Sequence, residues 1–285
     1  MRLTVDRGRC TLCGACIPTC PSEMVRRRDD QIRIGRVACI ACGHCLAVCP
    51  EGAILDEEGA ASEPDAGPPC SPAALKALLC RRRTVRRYRP EAVPRELVEE
   101  CLDAARWVPT AANGQAQEYV VVAEPQTRDG LRGRIEEHYR AFAEAPAAGE
   151  HRAERVAALD LDPGAAAHPH VLAAVPAFVK SVDAGRDRLF FGAPVVVVVH
   201  AALDAVMPEA ACAFATLSVV LMAEAQGLGT CITGFASDAL RHRADLREWL
   251  GIAPSNQVHY VIVLGWPAEE FRRVPERRPA QVQWR

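Results

Sequence analysis

Eight of the thirteen cysteines fall between residues 10 and 49, in two runs of the same form. Cys10, Cys13, Cys16 and Cys20 are closed by Pro21; Cys39, Cys42, Cys45 and Cys49 are closed by Pro50. Each run reads C-x2-C-x2-C-x3-C-P. Three thiolates at this spacing wrap one iron–sulfur cube from a single turn of chain, and the fourth is expected to start a short helix and point the other way. The competing reading is zinc, which is ordinarily held by two separated C-x2-C knuckles and needs neither a third cysteine nor a proline closure. The spacing therefore favours iron–sulfur chemistry. An offset of 29 residues carries Cys10 onto Cys39, so the region is a duplication. His44 lies inside the second run, where the cysteines already fill the ligand positions. Thiolate ligands of this density call for a reducing compartment or an anaerobe.

The second stretch with chemical potential is Arg81–Arg89, RRRTVRRYR. A run of charge is commonly a solvated face. Here Val85 and Tyr88 interrupt it, and guanidinium groups beside a threonine hydroxyl suit a phosphate, which arginine meets with paired donors. Both readings stand on the residues alone. No G-x-G-x-x-G opens a helix after a strand and there is no P-loop; Gly227-Leu228-Gly229 follows a helix and reads as a turn. Nicotinamide binding in a Rossmann fold is not expected.

These residues sit in a chain of 285 residues with 49% hydrophobic content, room for one small and one medium domain. Net charge is −2, which gives no reason to expect nucleic acid or a membrane surface as partner. No signal peptide is expected at the N-terminus. The most apolar runs, Val195–Val199 and Ala210–Ala225, read as too short for a bilayer, and a cytoplasmic location is expected. Residues 1–58 form the expected first domain. A unit this small buries little apolar surface, so its clusters must supply its folding energy. Residues 59–72, rich in Gly, Pro and Ala, read as a linker ending where Ser71 and Pro72 open a helix. In residues 73–285, Pro94 opens a helix with Leu97, Val98, Cys101 and Leu102 on one face. Strands are expected at 118–123, 194–200 and 257–265. Helices are expected at 125–138, at 208–226, ended by Gly227, and from a Ser237 cap to Leu250. This mixture predicts an α+β domain around a central, mostly antiparallel sheet flanked by helices. The helix at 208–226 is apolar around most of its surface and is expected in a core or a dimer interface. Residues 139–191 break the alternation and read as a lid-like insertion.

Two resemblances extend this reading. Residues 1–58 resemble bacterial ferredoxins with two [4Fe–4S] clusters, in which the fourth cysteine of each run completes the opposite cluster. That resemblance implies one cluster on Cys10, Cys13, Cys16 and Cys49, and the other on Cys39, Cys42, Cys45 and Cys20. From Leu75 onward the chain resembles the nitroreductase family of FMN enzymes. The resemblance is carried by C-R-R-R-T-V-R-R-Y, by the stretch from Val93 to Gln115 ending V-P-T-A-A-N-G-Q, by G-L-G-T-C-I-T-G-F and by V-P-E-R-R-P. It implies that Arg82, Arg83, Thr84 and Arg86 contact the ribityl chain and phosphate of FMN. It further implies that Pro109, Thr110, Ala111, Asn113 and Gln115 reach the flavin of the other subunit of a homodimer. Thr233 and Gly234 would face flavin N5, and Arg277 and Arg278 the phosphate. The chain departs from the family where Ala116-Gln117 replaces Pro-Trp, and where Glu276 aligns with a lysine.

The family resemblance implies that the flavin does the chemistry, so no acid–base side chain is obligatory. His168 and His170, in the expected lid, are candidate proton donors. The fusion implies a route from a low-potential electron donor through two clusters to FMN and on to a small-molecule acceptor, such as a nitroaromatic, a quinone or an activated alkene. The alternatives are an electron-transfer adaptor serving a protein partner and a flavin-based redox sensor. Cys70, Cys80, Cys101, Cys212 and Cys231 have no metal spacing and are expected to pack as small hydrophobes.

Overall fold

A computed structural model describes residues 3–57, 59–60, 70–144 and 169–285. The chain divides into two compact units: Met1–Ser71 with Thr110–Gln115, and Pro72–Pro109 with Ala116–Arg285.

In the first unit β1 (Thr4–Val5) pairs antiparallel with β4 (Ile54–Asp56), and β5 (Gly59–Ala60) extends that sheet. The stretch read as linker thus contributes its first two residues to the N-terminal unit. A hairpin of β2 (Val25–Arg28) and β3 (Gln31–Ile34) turns at Asp29-Asp30, both at positive φ, the geometry whose twist matches the flanking strands. The short helices α1 (Cys16–Thr19) and α2 (His44–Ala47) precede the fourth cysteines instead of starting at them. The physical reason is the proline after each: a residue before proline is driven out of the helical region, and Cys20 is extended, with ψ 111°. The duplication is written in the backbone. Leu12, Gly14 and Glu23 have positive φ, and so do Ala41, Gly43 and Gly52, each 29 residues on. The apolar core is small: Cys16, Val25, Ile32, Cys45 and Ile54.

In the second unit α3 (Pro72–Arg81) begins at its proline, and α4 (Arg95–Ala105) buries Val98, Cys101 and Ala105. The sheet has the order β6-β7-β9-β8, every neighbour antiparallel: Glu118–Val122, Val195–Ala202, Asn256–Gly265 and Gly229–Ile232. Val196, Val197, Val198 and Val199 of β7 have no exposed surface, because helices cover both faces. On one face lie α5 (Pro125–Glu144), α6 (Pro169–Asp183), α8 (Gly234–His242) and α9 (Ala244–Trp249). On the other lie α4 and α7 (Pro208–Ala225). Of the described helices, α7 is long and apolar enough to cross a membrane, contrary to the length argument from sequence. Its Cys212, Ala215, Val219 and Ala223 pack on the sheet, while Phe214 and Leu217 are about half exposed.

Three expectations are corrected. Strand β8 begins at Gly229, inside the Gly227-Leu228-Gly229 stretch that reads as a turn. The helix expected from Ser237 to Leu250 is two helices; Thr233 caps the first by accepting from the Ala236 amide at 3.3 Å. Ser237 instead donates to the Thr233 carbonyl at 2.8 Å and accepts from the Val261 amide at 2.8 Å, tying helix to sheet. Finally, the span 139–191 is core at both described ends: Tyr139 completes the inner face of α5 with no exposed surface, and Val175 and Phe178 of α6 are buried against it. Residues 145–168, including His168, lie outside the described residues.

Buried histidines give this unit a pH dependence. Burial holds His200 and His259 below the ordinary imidazole value, with the Arg241 charge adding to the effect at His259. His200 Nδ1 is 3.0 Å from the Asn256 amide nitrogen, which also donates to Glu118 at 2.9 Å. Both rings are neutral in the fold and protonate on unfolding, so stability falls as pH drops below about 6.5. The slope is at most ~1.4 kcal/mol per pH unit for each ring. Denaturant midpoints measured from pH 7.5 to 5 should show this fall, and a His200→Gln, His259→Gln variant should show a shallower one; an unchanged slope would refute the assignment.

Candidate functional site

Two sites stand out, one in each unit. In the first, the eight motif cysteines form two groups. Cys10, Cys13, Cys16 and Cys49 line a cavity of about 340 Å³; Cys20, Cys39, Cys42 and Cys45 line another of about 320 Å³. The fourth cysteine of each run lies with the first three of the other. Near-equal volumes match the duplicated backbone. Among the described residues no three Cys, His, Asp or Glu side chains converge as they would on a single ion. Four thiols around each space fit a cluster. His44 lines the second cavity, beside its cysteines.

Backbone amides point at the sulfurs in matched pairs. The Met24 amide donates to Cys20 Sγ at 3.2 Å and the Ala53 amide to Cys49 Sγ at 3.3 Å, again 29 residues apart. Burial opposes ionisation of Cys20, but the amides of Met24, Ser22, Val25 and Glu23 outweigh it and bring the thiol below its ordinary value. Burial raises Cys16 and Cys45, and the neighbouring thiolates add to the rise. Such amide contacts favour the charged form of a sulfur ligand and set cluster potentials.

The second site is built from the arginine run. Thr84 bridges to Thr230 in parallel, and the Val85 amide donates to the Thr230 carbonyl at 2.9 Å, so the run begins as an extra strand on the free edge of β8. Val85 is 3% exposed and its side chain lies over Gly229, where a Cβ would meet Val85 Cγ2 at 2.5 Å. Further on, Tyr88 donates to the Val85 carbonyl at 2.9 Å, and the Arg89 amide donates to the Trp266 carbonyl at 2.9 Å. The apolar members of the run are thus buried, and the arginines between them stay at the surface.

A cavity of about 920 Å³ lies against this edge. Arg86, Cys231, Thr233 and Gly234 line one side, and Phe178, Ser181, Arg188 and Phe191 belong to its other walls. Thr233 directly follows β8 and caps α8, so the first-turn amides of Gly234 and Phe235, which no residue of the helix can satisfy, are at the cavity. Burial raises the Cys231 thiol, with the Arg86 charge opposing. Among the described residues no carboxylate lines the cavity. This combination of helix amides, arginine and phenylalanine fits a planar ring system with an anionic tail.

The expected contacts divide into those brought together and those kept apart. Thr84, Arg86, Thr233 and Gly234 meet at the β8 edge. Arg82 and Arg83 follow the end of α3, where their charges act on Glu224 of α7; burial raises that carboxyl and Arg82 lowers it most. Pro109, Thr110, Ala111, Asn113 and Gln115 do not line the cavity. Thr110–Gln115 groups with the first unit, where the Asn113 amide donates to the Ala41 carbonyl at 3.0 Å, between Cys39 and Cys42. Ala112, Asn113 and Gln115 all have positive φ, a strained stretch of the kind that concentrates at functional sites. Arg277 and Arg278 lie in an exposed tail without helix or strand and make no hydrogen bond or ion pair to the described residues. Phe178, Ser181, Arg188 and Phe191 were not anticipated. Their signal was weak, since they fall in the span whose pattern had broken down.

A duplicated cysteine cage followed by a three-layer α/β/α domain with a basic, aromatic cavity defines a redox protein of two parts. Comparison with known proteins agrees. Residues 79–266 match the model of the Nitroreductase family, and residues 2–50 match that of a 4Fe-4S dicluster domain. The chain belongs to the nitroreductase family. Its second domain is accordingly an oxidoreductase of the nitroreductase type, and its first carries two [4Fe–4S] clusters. A protein called NADH dehydrogenase from Thermus thermophilus is 44% identical over 57 residues, 20% of this chain and 28% of that protein; the chain therefore spans well under a third of this curated relative. Among solved structures, a nitroreductase with bound FMN from Desulfitobacterium hafniense is 18% identical with a TM-score of 0.53, covering 73% of this chain and 97% of that one. An iodotyrosine deiodinase with FMN and 3-iodo-L-tyrosine is 18% identical, TM-score 0.52, covering 74% and 98%. At these identities the likeness is one of fold.

Two predictions test the two sites. Cys49→Ala should remove roughly half of the iron from the anaerobically purified protein, and Cys10→Ala the same half, giving indistinguishable spectra of the surviving cluster. Different spectra would break the crossed grouping. Gly229→Ala should cost about 1–3 kcal/mol of stability through overpacking on Val85. Adding Val85→Ala should recover a large part of the loss, as read from denaturant midpoints; additive losses would show that the two residues do not share this contact.

Proposed function

We propose that this chain is an iron–sulfur flavoprotein oxidoreductase that takes electrons from a low-potential donor through two [4Fe–4S] clusters to FMN and delivers them to a small acceptor such as a nitroaromatic, a quinone or an activated alkene. FMN, when bound, supplies the redox chemistry at which one-electron supply meets two-electron delivery. The chain's own residues hold and polarise. Cys10, Cys13, Cys16 and Cys49 hold one cluster; Cys20, Cys39, Cys42 and Cys45 hold the other. Arg82, Arg83, Thr84 and Arg86 hold the phosphate and ribityl chain, and the Gly234 amide at the capped start of α8 donates to the ring. Positive charge on this side favours an anionic reduced cofactor.

The observation that carries the reading is the cavity at the β8 edge, basic and aromatic and with no carboxylate among its described residues, in a chain that also builds two cysteine cages. A homodimer completes the site. Pro109, Thr110, Ala111, Asn113 and Gln115 are then supplied by the partner subunit, Arg277 and Arg278 serve the phosphate, and the half-exposed Phe214 and Leu217 of α7 give an apolar face for the contact. The hydrogen bond from Asn113 to Ala41 attaches this flavin stretch to the second cysteine run, which supports transfer from that cluster. A cytoplasmic setting is consistent with thirteen free cysteines.

The test is anaerobic. The cofactor-complete protein is reduced with just enough dithionite and mixed with a nitroaromatic while flavin and cluster absorbance are followed. Fast flavin reoxidation, with the clusters following, is expected. A flavin that stays reduced refutes the small-acceptor reading and favours a relay to a protein partner.

A further inference from the structure

The loop that brings Phe191 to the cavity also carries a cation with no assigned task. Arg188 is exposed, lines the cavity, and makes no hydrogen bond or ion pair to the described residues. Its neighbours are all engaged. Arg132 reaches Asp187 at 3.7 Å, Arg140 reaches Asp183 at 3.0 Å, and Arg186 Nε donates to Ser181 Oγ at 3.0 Å. Where nearby carboxylates are used by other arginines, a guanidinium with no partner among the described residues, on a cavity with no described carboxylate, is available to a ligand.

The backbone under Arg188 is fixed. Asp187 accepts from the amides of Leu189, Phe190 and Gly192 at 3.0, 2.8 and 2.9 Å, using both carboxylate oxygens. Leu189 and Phe190 are 0% and 1% exposed, so the loop is anchored on both sides of its cationic residue. Phe191 then takes a left-handed φ of 56°, costly for a bulky side chain, and its ring lies on the cavity 5.9 Å from the Arg86 guanidinium. Phe178, also on the cavity, stacks on Phe235 with centroids 4.5 Å apart and an interplanar angle of 24°. Clamped loop, strained aromatic and stacked pair together make a preorganised aromatic wall with the Arg188 guanidinium beside it.

We propose that Arg188 receives the anionic group of the acceptor, and that the preferred acceptors are planar aromatic compounds bearing a carboxylate. This rests on the proposed function, in which Arg82, Arg83 and Arg86 serve the cofactor and Arg188 is left over. Phe178 and Phe191 bound the ring of the acceptor, while the guanidinium pairs with its carboxylate at the solvent edge.

The experiment uses the FMN-loaded protein and two pairs of probes. Benzoate and benzamide, which accept no electrons from flavin, are titrated into the oxidised protein and read from the flavin visible spectrum. Benzoate should bind about tenfold more tightly than benzamide, the effect of one charge-assisted contact. Arg188→Ala should abolish the difference and Arg188→Lys should keep part of it. With 4-nitrobenzoate and 4-nitrobenzamide as acceptors, the ratio of kcat/KM should fall by the same factor in Arg188→Ala, with flavin content unchanged. The proposal is overturned if the benzoate preference is absent in the wild type, if it survives in Arg188→Ala, or if that variant loses its flavin and so shows Arg188 to be a cofactor contact. Should neither nitro compound reoxidise the flavin, the small-acceptor reading falls, while the benzoate titration still decides the role of Arg188.

Discussion

The second unit depends on how a row of arginines is held against a hydrophobic sheet edge. Guanidinium groups are strongly solvated, and burying them without partners is expensive. The chain meets this by alternation: Val85 goes inward over Gly229, Tyr88 folds onto the Val85 carbonyl, and Arg86 and Arg87 between them remain exposed. A side chain on residue 229 would push the whole segment away. Because Gly229 begins β8 and Thr233 directly follows it, the same four-residue strand fixes both the arginine run and the start of α8. Cation and helix amides thus reach one cavity through one short element.

That strand also marks the limit of what could be read from the sequence. The valines of β7, the stripe of α4 and the proline starts of α3 and α7 were legible, because each is long or carries an end signal. Gly229–Ile232 has only four residues and opens with glycine, so propensity argued for a turn; what makes it a strand is pairing with Asn256–Gly265, a long-range contact invisible locally. The break near Arg243 was hidden for a similar reason. Ser237 is a good capping residue, but its hydroxyl is engaged by the sheet at Val261. The two cysteine runs, by contrast, stand out in the sequence because their spacing is itself local, whereas the crossed grouping of Cys20 and Cys49 brings together residues far apart in the chain and was implied only by the ferredoxin resemblance.

The candidate site divides along the same line. Arg86 and Gly234 lie in stretches with a chemical pattern of their own. Arg188 and Phe191 lie in a loop whose significance comes from Asp187 turning its carboxylate onto three amides of its own loop. Nothing in the one-dimensional pattern distinguishes that aspartate from a solvated one.

The two units rest on different energetics, and this bears on how they work as one protein. Among the described residues the first has six buried apolar side chains, two of them cysteines of the cages, so its order is tied to the groups those cysteines would hold. The second has apolar layers on both faces of its sheet and does not need a bound group to fold. Its cavity can therefore stay open and hydrated without loss of the fold, which an acceptor entering and leaving requires. The cages bury Cys16 and Cys45 and present backbone amides to Cys20 and Cys49, contacts that favour the charged form of a sulfur ligand. The fusion thus joins a unit whose few buried apolar residues include its own ligand cysteines to one with apolar layers on both faces of its sheet.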